Sequence, residues 1–178
     1  LWIATRNGLN RYSRKKNSFS RYQFSENDPE SLSGNWCKAM FIDQTGTLWL
    51  GTNNGLNKMI IKENGGIGFK SFYPNRRDTI SNSEWSIEAI FEDENNILWL
   101  GSWGGGMIKF DPKNEKFTHY YSPYPKKSIN DNVITSIIRK NDSLIWASSY
   151  SGLIYTFNRN SGEYMDDSYE EPFISKII

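Results

Sequence analysis

The 178 residues predict an all-β fold, a β-propeller fragment of about four blade equivalents with four antiparallel strands each, and three observations carry that prediction. A phrase centred on tryptophan recurs four times, with Trp2, Trp49, Trp99 and Trp146 standing 47, 50 and 47 residues apart. The apolar runs are short and rich in Ile, Phe, Tyr and Trp, and Gly, Asn, Asp, Ser or Pro breaks them about every ten residues. No stretch holds a helical apolar stripe for three turns. A period of this size marks a stacked or radial array, and four strands in about 40–50 residues is one propeller blade.

The copies read LWIATRNGLNRY, LWLGTNNGLNKM, LWLGSWGGGMIKF and IWASSYSGLIYTF. Six residues after each tryptophan stands a glycine, at Gly8, Gly55, Gly105 and Gly152, placed for a tight turn of positive φ between two apolar runs. Asp43 and Asp93 stand six residues before a tryptophan, in DQTG and DENN, compositions that join two strands by a turn. Strands are therefore expected at 36–43, 47–52, 56–61 and 69–73, then at 85–92, 97–102, 106–111 and 117–121. A third set falls at 133–139, 144–149, 153–158 and 163–166.

In LWLG, Trp49 lies on one face of its strand and Leu48 and Leu50 on the other, so both faces are apolar. A strand buried on both sides tolerates that pattern, and a solvated one alternates apolar with polar. All four tryptophans are accordingly expected in the core.

The frame is offset by one strand. A partial blade spans 1–24, blades span 36–73, 85–121 and 133–166, and residues 173–178 align with the first strand that begins at Val133. Two arrangements satisfy this inventory. The chain is a piece of a larger ring, or its last strand completes the first three, within one chain or in a second copy. The first is preferred, with a homodimer of eight blades as one way to cover the raw edges.

The charge balance, 21 basic against 20 acidic residues, argues against nucleic acid as the main partner. The densest basic run, Arg11, Arg14, Lys15 and Lys16, falls at a hairpin tip and reads as a solvated turn. One cysteine, Cys37, excludes an internal disulfide and reads as a buried thiol. No apolar stretch approaches the 18 residues of a membrane span.

The phrase SLSGNWCKAMFIDQTG followed by LWLGTNNGLNK resembles the two-component regulator propeller repeat, N-x-V-x-x-I-x-x-D-x-x-G-x-L-W-I-G-T-x-x-G-L-x-R-Y/F-D. Asn35, Asp43, Gly46, Leu48, Trp49, Gly51, Thr52, Gly55 and Leu56 fit it, as do Asp93, Leu98, Trp99, Gly101, Phe110, Asp111 and Pro112 in the next copy. Ala4 and Ala147 replace the usual glycine, and Lys140 stands where the aspartate belongs, so the last turn is expected to differ in shape. The resemblance implies a segment of the periplasmic sensor region of a Bacteroidetes hybrid two-component histidine kinase, which recognises oligosaccharides to regulate polysaccharide utilisation. The rest of that ectodomain would be its neighbour, and the segment itself would make no direct membrane contact.

The resemblance also places the first strand of each blade at the central channel. The loops entering first strands and those between second and third strands then share a ligand face. Sugar rings present apolar C–H faces that stack on aromatics, and a few polar groups fix the hydroxyls. Trp36, Trp85, Trp103 and Tyr150 are the stacking candidates, and Arg6, Asn53, Glu84 and Asn132 the hydrogen-bonding ones. Packing between blades is the competing role for Trp36 and Trp85.

Catalytic constellations are missing. His119 is the only histidine, expected on the surface of a fourth strand, which excludes a two-histidine metal site within the chain. Gly104-Gly105-Gly106 lacks the Lys-Ser/Thr of a phosphate loop. Asp43 and Asp93 belong to separate blades, whereas a glycosidase pair needs two carboxylates about 5–10 Å apart. No cofactor and no metal are expected. A propeller lyase and a protein-binding scaffold are the alternatives to a ligand sensor.

Overall fold

The structure is a computed structural model that describes residues 1–74, 85–121 and 132–169. Its strands form four antiparallel meanders. The first holds β1 (Trp2–Thr5), β2 (Gly8–Ser13) and β3 (Ser18–Tyr22). The second holds β4 (Cys37–Ile42), β5 (Leu48–Thr52), β6 (Gly55–Ile61) and β7 (Ile67–Phe72). The third holds β8 (Ile87–Glu92), β9 (Leu98–Ser102), β10 (Met107–Asp111) and β11 (Lys116–Tyr120). The fourth holds β12 (Ile134–Arg139), β13 (Leu144–Ser149), β14 (Ile154–Asn158) and β15 (Glu163–Tyr169). Every strand expected within the described residues is present, and β15 runs three residues past its expected end. The strand expected at 173–178 lies outside the described residues. The chain divides into two compact units, Leu1–Ile87 and Glu88–Ile178.

The first hairpin of each full sheet is closed by the side chain that precedes its turn. Asp43 Oδ1 accepts the backbone N–H groups of Thr45 (2.9 Å) and Thr47 (2.8 Å), while Gly46 takes φ 83°. Its Oδ2 accepts the indole N–H of Trp49 at 2.8 Å. Burial by itself would raise the Asp43 carboxyl, but hydrogen bonds from Thr45, Trp49 and Thr47 outweigh it and hold the group below the usual carboxylate range. Asp93 repeats the arrangement with Asn95, Ile97 and Trp99, and Asn96 adopts φ 60°. In the fourth sheet the turn is rebuilt, as Lys140 foretold. Asn141 Oδ1 accepts from the N–H groups of Ser143 (3.0 Å) and Leu144 (2.8 Å), and the Lys140 ammonium lies 5.1 Å from the Trp146 ring centroid.

In the first unit, Trp2 packs into a cluster with Leu9, Leu48, Leu50 and Phe69, with Tyr22 at 5.8 Å between ring centroids. In the second, Trp99 packs with Ile145, Ala147 and Phe157, the last at 5.4 Å. The rule is the same in both. A tryptophan on one sheet meets the apolar residues that flank the tryptophan of the next.

That rule corrects one expectation. Trp49 and Trp99 are each 1% exposed, and Trp2 is half-buried, but Trp146 is 36% exposed. Strand alternation sends Ile145 and Ala147 to the face that covers Trp99 and sends Trp146 to the opposite face.

The glycine of LWLG has a steric cause. A Cβ on Gly101 would lie 2.5 Å from the carbonyl oxygen of Ile134, so only glycine lets β12 approach β9 this closely. The glycine expected to take positive φ in the third sheet is displaced. Gly104 (101°) and Gly106 (69°) adopt it there, whereas Gly8, Gly55 and Gly152 do so in the other sheets.

The sheets are also tied by a buried cation that the repeat pattern does not contain. Arg159 reaches Asp93 at 3.2 Å and Glu94 at 3.1 Å and donates to the carbonyl of Asp142, which links the third and fourth sheets. Hydrogen bonding from Arg159, with its positive charge, keeps the Glu94 carboxyl below its ordinary range. His119 is half-buried on β11, with its ring stacked 6.0 Å from Tyr121, and so is less exposed than expected.

Candidate functional site

In an antiparallel meander, the entry to the first strand and the loop between second and third strands fall at the same end of the sheet. In the first unit that end gathers Arg6 (β1–β2 loop), Asn35 and Trp36 (entry to β4), and Asn53 and Asn54 (β5–β6 loop). The backbone fixes them together. Gly8 N–H donates to Asn35 O at 2.6 Å, and Asn53 N–H donates to Trp36 O at 3.0 Å. Trp36 N–H returns a bond to Asn53 Oδ1 at 3.1 Å. With Phe24 and Ser33 these residues line a cleft of about 500 Å³.

The exposed Trp36 indole is flanked by two cations. The Arg6 guanidinium lies 4.6 Å from its ring centroid and the Lys38 ammonium 4.3 Å. Lys38 is the residue skipped where the β4–β5 register shifts between Cys37 and Ala39. A bulge re-aims a side chain, which explains why a strand residue reaches a loop aromatic. The sequence reading did not include Lys38, because a bulge has no signature of its own in the residue order. Next to Trp36 in the chain, Cys37 is buried as expected. Desolvation pushes its thiol up to about 11, against a smaller opposing hydrogen bond from the Thr5 backbone.

In the second unit, Trp103 and Tyr150 meet at 5.3 Å between ring centroids, with 57° between planes. Both loops are tethered to Val133. Trp103 forms an isolated bridge with it, and Tyr150 N–H donates to its carbonyl at 2.8 Å. Tyr150 is 61% exposed. Asn132 is buried, and its carbonyl accepts from Gly104 (3.2 Å) and Gly106 (2.9 Å), so it braces the Trp103 loop from below. Trp85 is half-buried and edge-on to Tyr73 at 6.0 Å. Glu84 lies outside the described residues.

The structure thus brings Arg6, Trp36 and Asn53 into one cleft and Trp103 and Tyr150 into one aromatic pair. A second cleft of about 510 Å³ in the first unit is lined by Glu26, Asp28, Glu30 and Lys70, and it contains none of the candidate residues. Among the described residues no group of three His, Cys, Asp or Glu is placed to hold a metal ion, and no helix is long and apolar enough to cross a membrane.

Four-stranded meanders with these inter-sheet tryptophans are β-propeller blades. Residues 31–54 match the two component regulator propeller family, so the resemblance read from the repeats stands. Three solved structures resemble the chain. An extracellular domain from B. thetaiotaomicron, assigned to a hybrid two component system, is 26% identical with a TM-score of 0.69, over 94% of this chain and 22% of that one. A second such domain from the same organism is 17% identical with a TM-score of 0.73, over 99% and 22%. Virginiamycin B lyase from Staphylococcus aureus is 18% identical with a TM-score of 0.62, over 95% and 50%, a likeness of fold alone. No curated protein matches. The chain spans about a fifth of the length of the two extracellular domains. Residues 31–54 thus carry a two component regulator propeller repeat, and the chain shares its fold with these extracellular domains of hybrid two component systems.

Proposed function

We propose that this chain is a ligand-sensing segment of a periplasmic hybrid two-component histidine kinase, and that its loops recognise an oligosaccharide whose presence regulates polysaccharide utilisation. The supporting observation is the exposed Trp36 indole, held at the loop end of its sheet beside Arg6 and Asn53 within a cleft of about 500 Å³. Exposed aromatics flanked by amide and guanidinium donors suit a sugar, whose ring stacks while its hydroxyls accept hydrogen bonds. The Trp103–Tyr150 pair offers a second stacking surface of the same kind. The segment binds and does not catalyse. The rest of the sensor ectodomain is its neighbour, and a second copy of the chain is a further partner.

Isothermal calorimetry against a panel of neutral and acidic oligosaccharides tests this, with Trp36→Ala and Trp103→Ala as controls. Heat with at least one sugar, abolished by a tryptophan substitution, supports the proposal. Turnover of a substrate without sugar binding would replace it with a lyase. Tight binding of a protein and of no sugar would replace it with a scaffold.

A further inference from the structure

We infer that the Trp36 cleft selects an acidic sugar residue, one whose ring covers the indole and whose carboxylate or sulfate ester meets Arg6; this rests on the oligosaccharide reading above. The argument is an inventory of donors and acceptors. Asn35 Oδ1 is occupied by the N–H of Phe24 (2.8 Å), and Asn53 Oδ1 by the N–H of Trp36 (3.1 Å). Each carboxamide oxygen thus already accepts one backbone N–H, and each retains its NH₂ as a donor. Three backbone carbonyls at the cleft are also engaged. Asn35 O accepts from Gly8, Trp36 O from Asn53, and Ser33 O from Asn54 Nδ2 at 2.8 Å. Of the three asparagines in the cleft, Asn54 is the one whose side-chain oxygen accepts no protein hydrogen bond.

Donors at the cleft are the Asn35 and Asn53 amides and the Arg6 guanidinium. Arg6 is exposed, and among the described residues no carboxylate pairs with it. No carboxylate is among the residues that line the cleft. A neutral sugar hydroxyl can accept from these donors but brings no charge to meet Arg6. A carboxylate or sulfate only accepts, and charge-assisted bonds of that kind are about twice as strong as neutral ones. The rigidity of the cleft adds to the selection. A Cβ on Gly34 would sit 2.5 Å from Asn53 Oδ1, so the loop closes on that side chain and holds the amide in place.

The test is calorimetry of the 178-residue chain with four probes. These are an oligogalacturonide, a neutral galactan oligosaccharide of equal length, the sulfated form of the latter, and inorganic sulfate. The expected result is that an acidic oligosaccharide binds about tenfold tighter than the neutral one, the worth of one or two charge-assisted bonds. The advantage shrinks at high salt, and inorganic sulfate alone is weak for want of a ring to stack. Arg6→Gln should lower the acidic affinity to the neutral level, and Arg14→Gln, on the exposed β2–β3 turn, should leave it unchanged. Equal binding of neutral and acidic sugars, unmoved by Arg6→Gln, would overturn this inference and leave the sugar reading intact. Binding of no sugar at all would overturn both. Which acidic arm binds identifies the anionic group.

Discussion

Trp99 donates its indole N–H to Asp93 Oδ2 at 2.9 Å, which couples the turn before β9 to the ring that fills the space between the third and fourth sheets. Asp93 also receives Arg159 at 3.2 Å, and both groups are buried. Removing one partner of a buried ion pair strands the other and costs about 3–5 kcal/mol. Asp93→Ala is expected to fall in that range, measured as the shift in urea midpoint at constant slope. A loss below about 1 kcal/mol would show that Glu94 and the Asp142 carbonyl suffice for Arg159.

The two exposed-versus-buried tryptophans give a paired comparison within one unit. Trp99→Ala should destabilise by about 3–5 kcal/mol, as fully buried aromatics do. Trp146→Ala should cost under about 1.5 kcal/mol, because its ring already meets solvent. Equal losses in chemical denaturation would mean that Trp146 is covered in solution.

Asp43 predicts an acid limb. Its carboxyl is held below the ordinary range in the folded chain, so its contribution is complete above the unfolded value of about 3.9 and is lost as pH falls through the lower folded value. The stability gap between the native chain and Asp43→Asn should be constant above about pH 5 and should narrow below about pH 4. A gap that widens on acidification would contradict the hydrogen-bond pattern around the turn.

Cys37 should be silent. Burial raises its thiol to about 11, so little thiolate exists at neutral pH. A disulfide reagent at pH 8 is expected to label it only after urea is added. Rapid labelling of the native chain would place β4 at an accessible edge.

Much of the fold was legible in the residues themselves. Recurrence of tryptophan at 47, 50 and 47 residues located every hairpin, and the alternation in LWLG located the buried strands. The site was legible only as loop positions. Arg6, Trp36 and Asn53 come from different loops, and their meeting depends on one backbone hydrogen bond between the first two sheets and two bonds between Trp36 and Asn53. Lys38 escaped because a register shift decides its direction, and Asn132 reads as a loop amide although it is buried.

By itself the sequence determined the blade: strand order, turn positions, the double-faced apolar strand and the glycine that repeats within it. Those are local properties, fixed by backbone sterics and by a side-chain period of two. Only the tertiary structure decided which tryptophans are covered, that Arg159 bridges two sheets, and that the cleft beside Trp36 is lined by no carboxylate. Burial and hydrogen-bond saturation depend on what a neighbouring sheet brings, and equivalent positions in a repeat do not have equivalent neighbours.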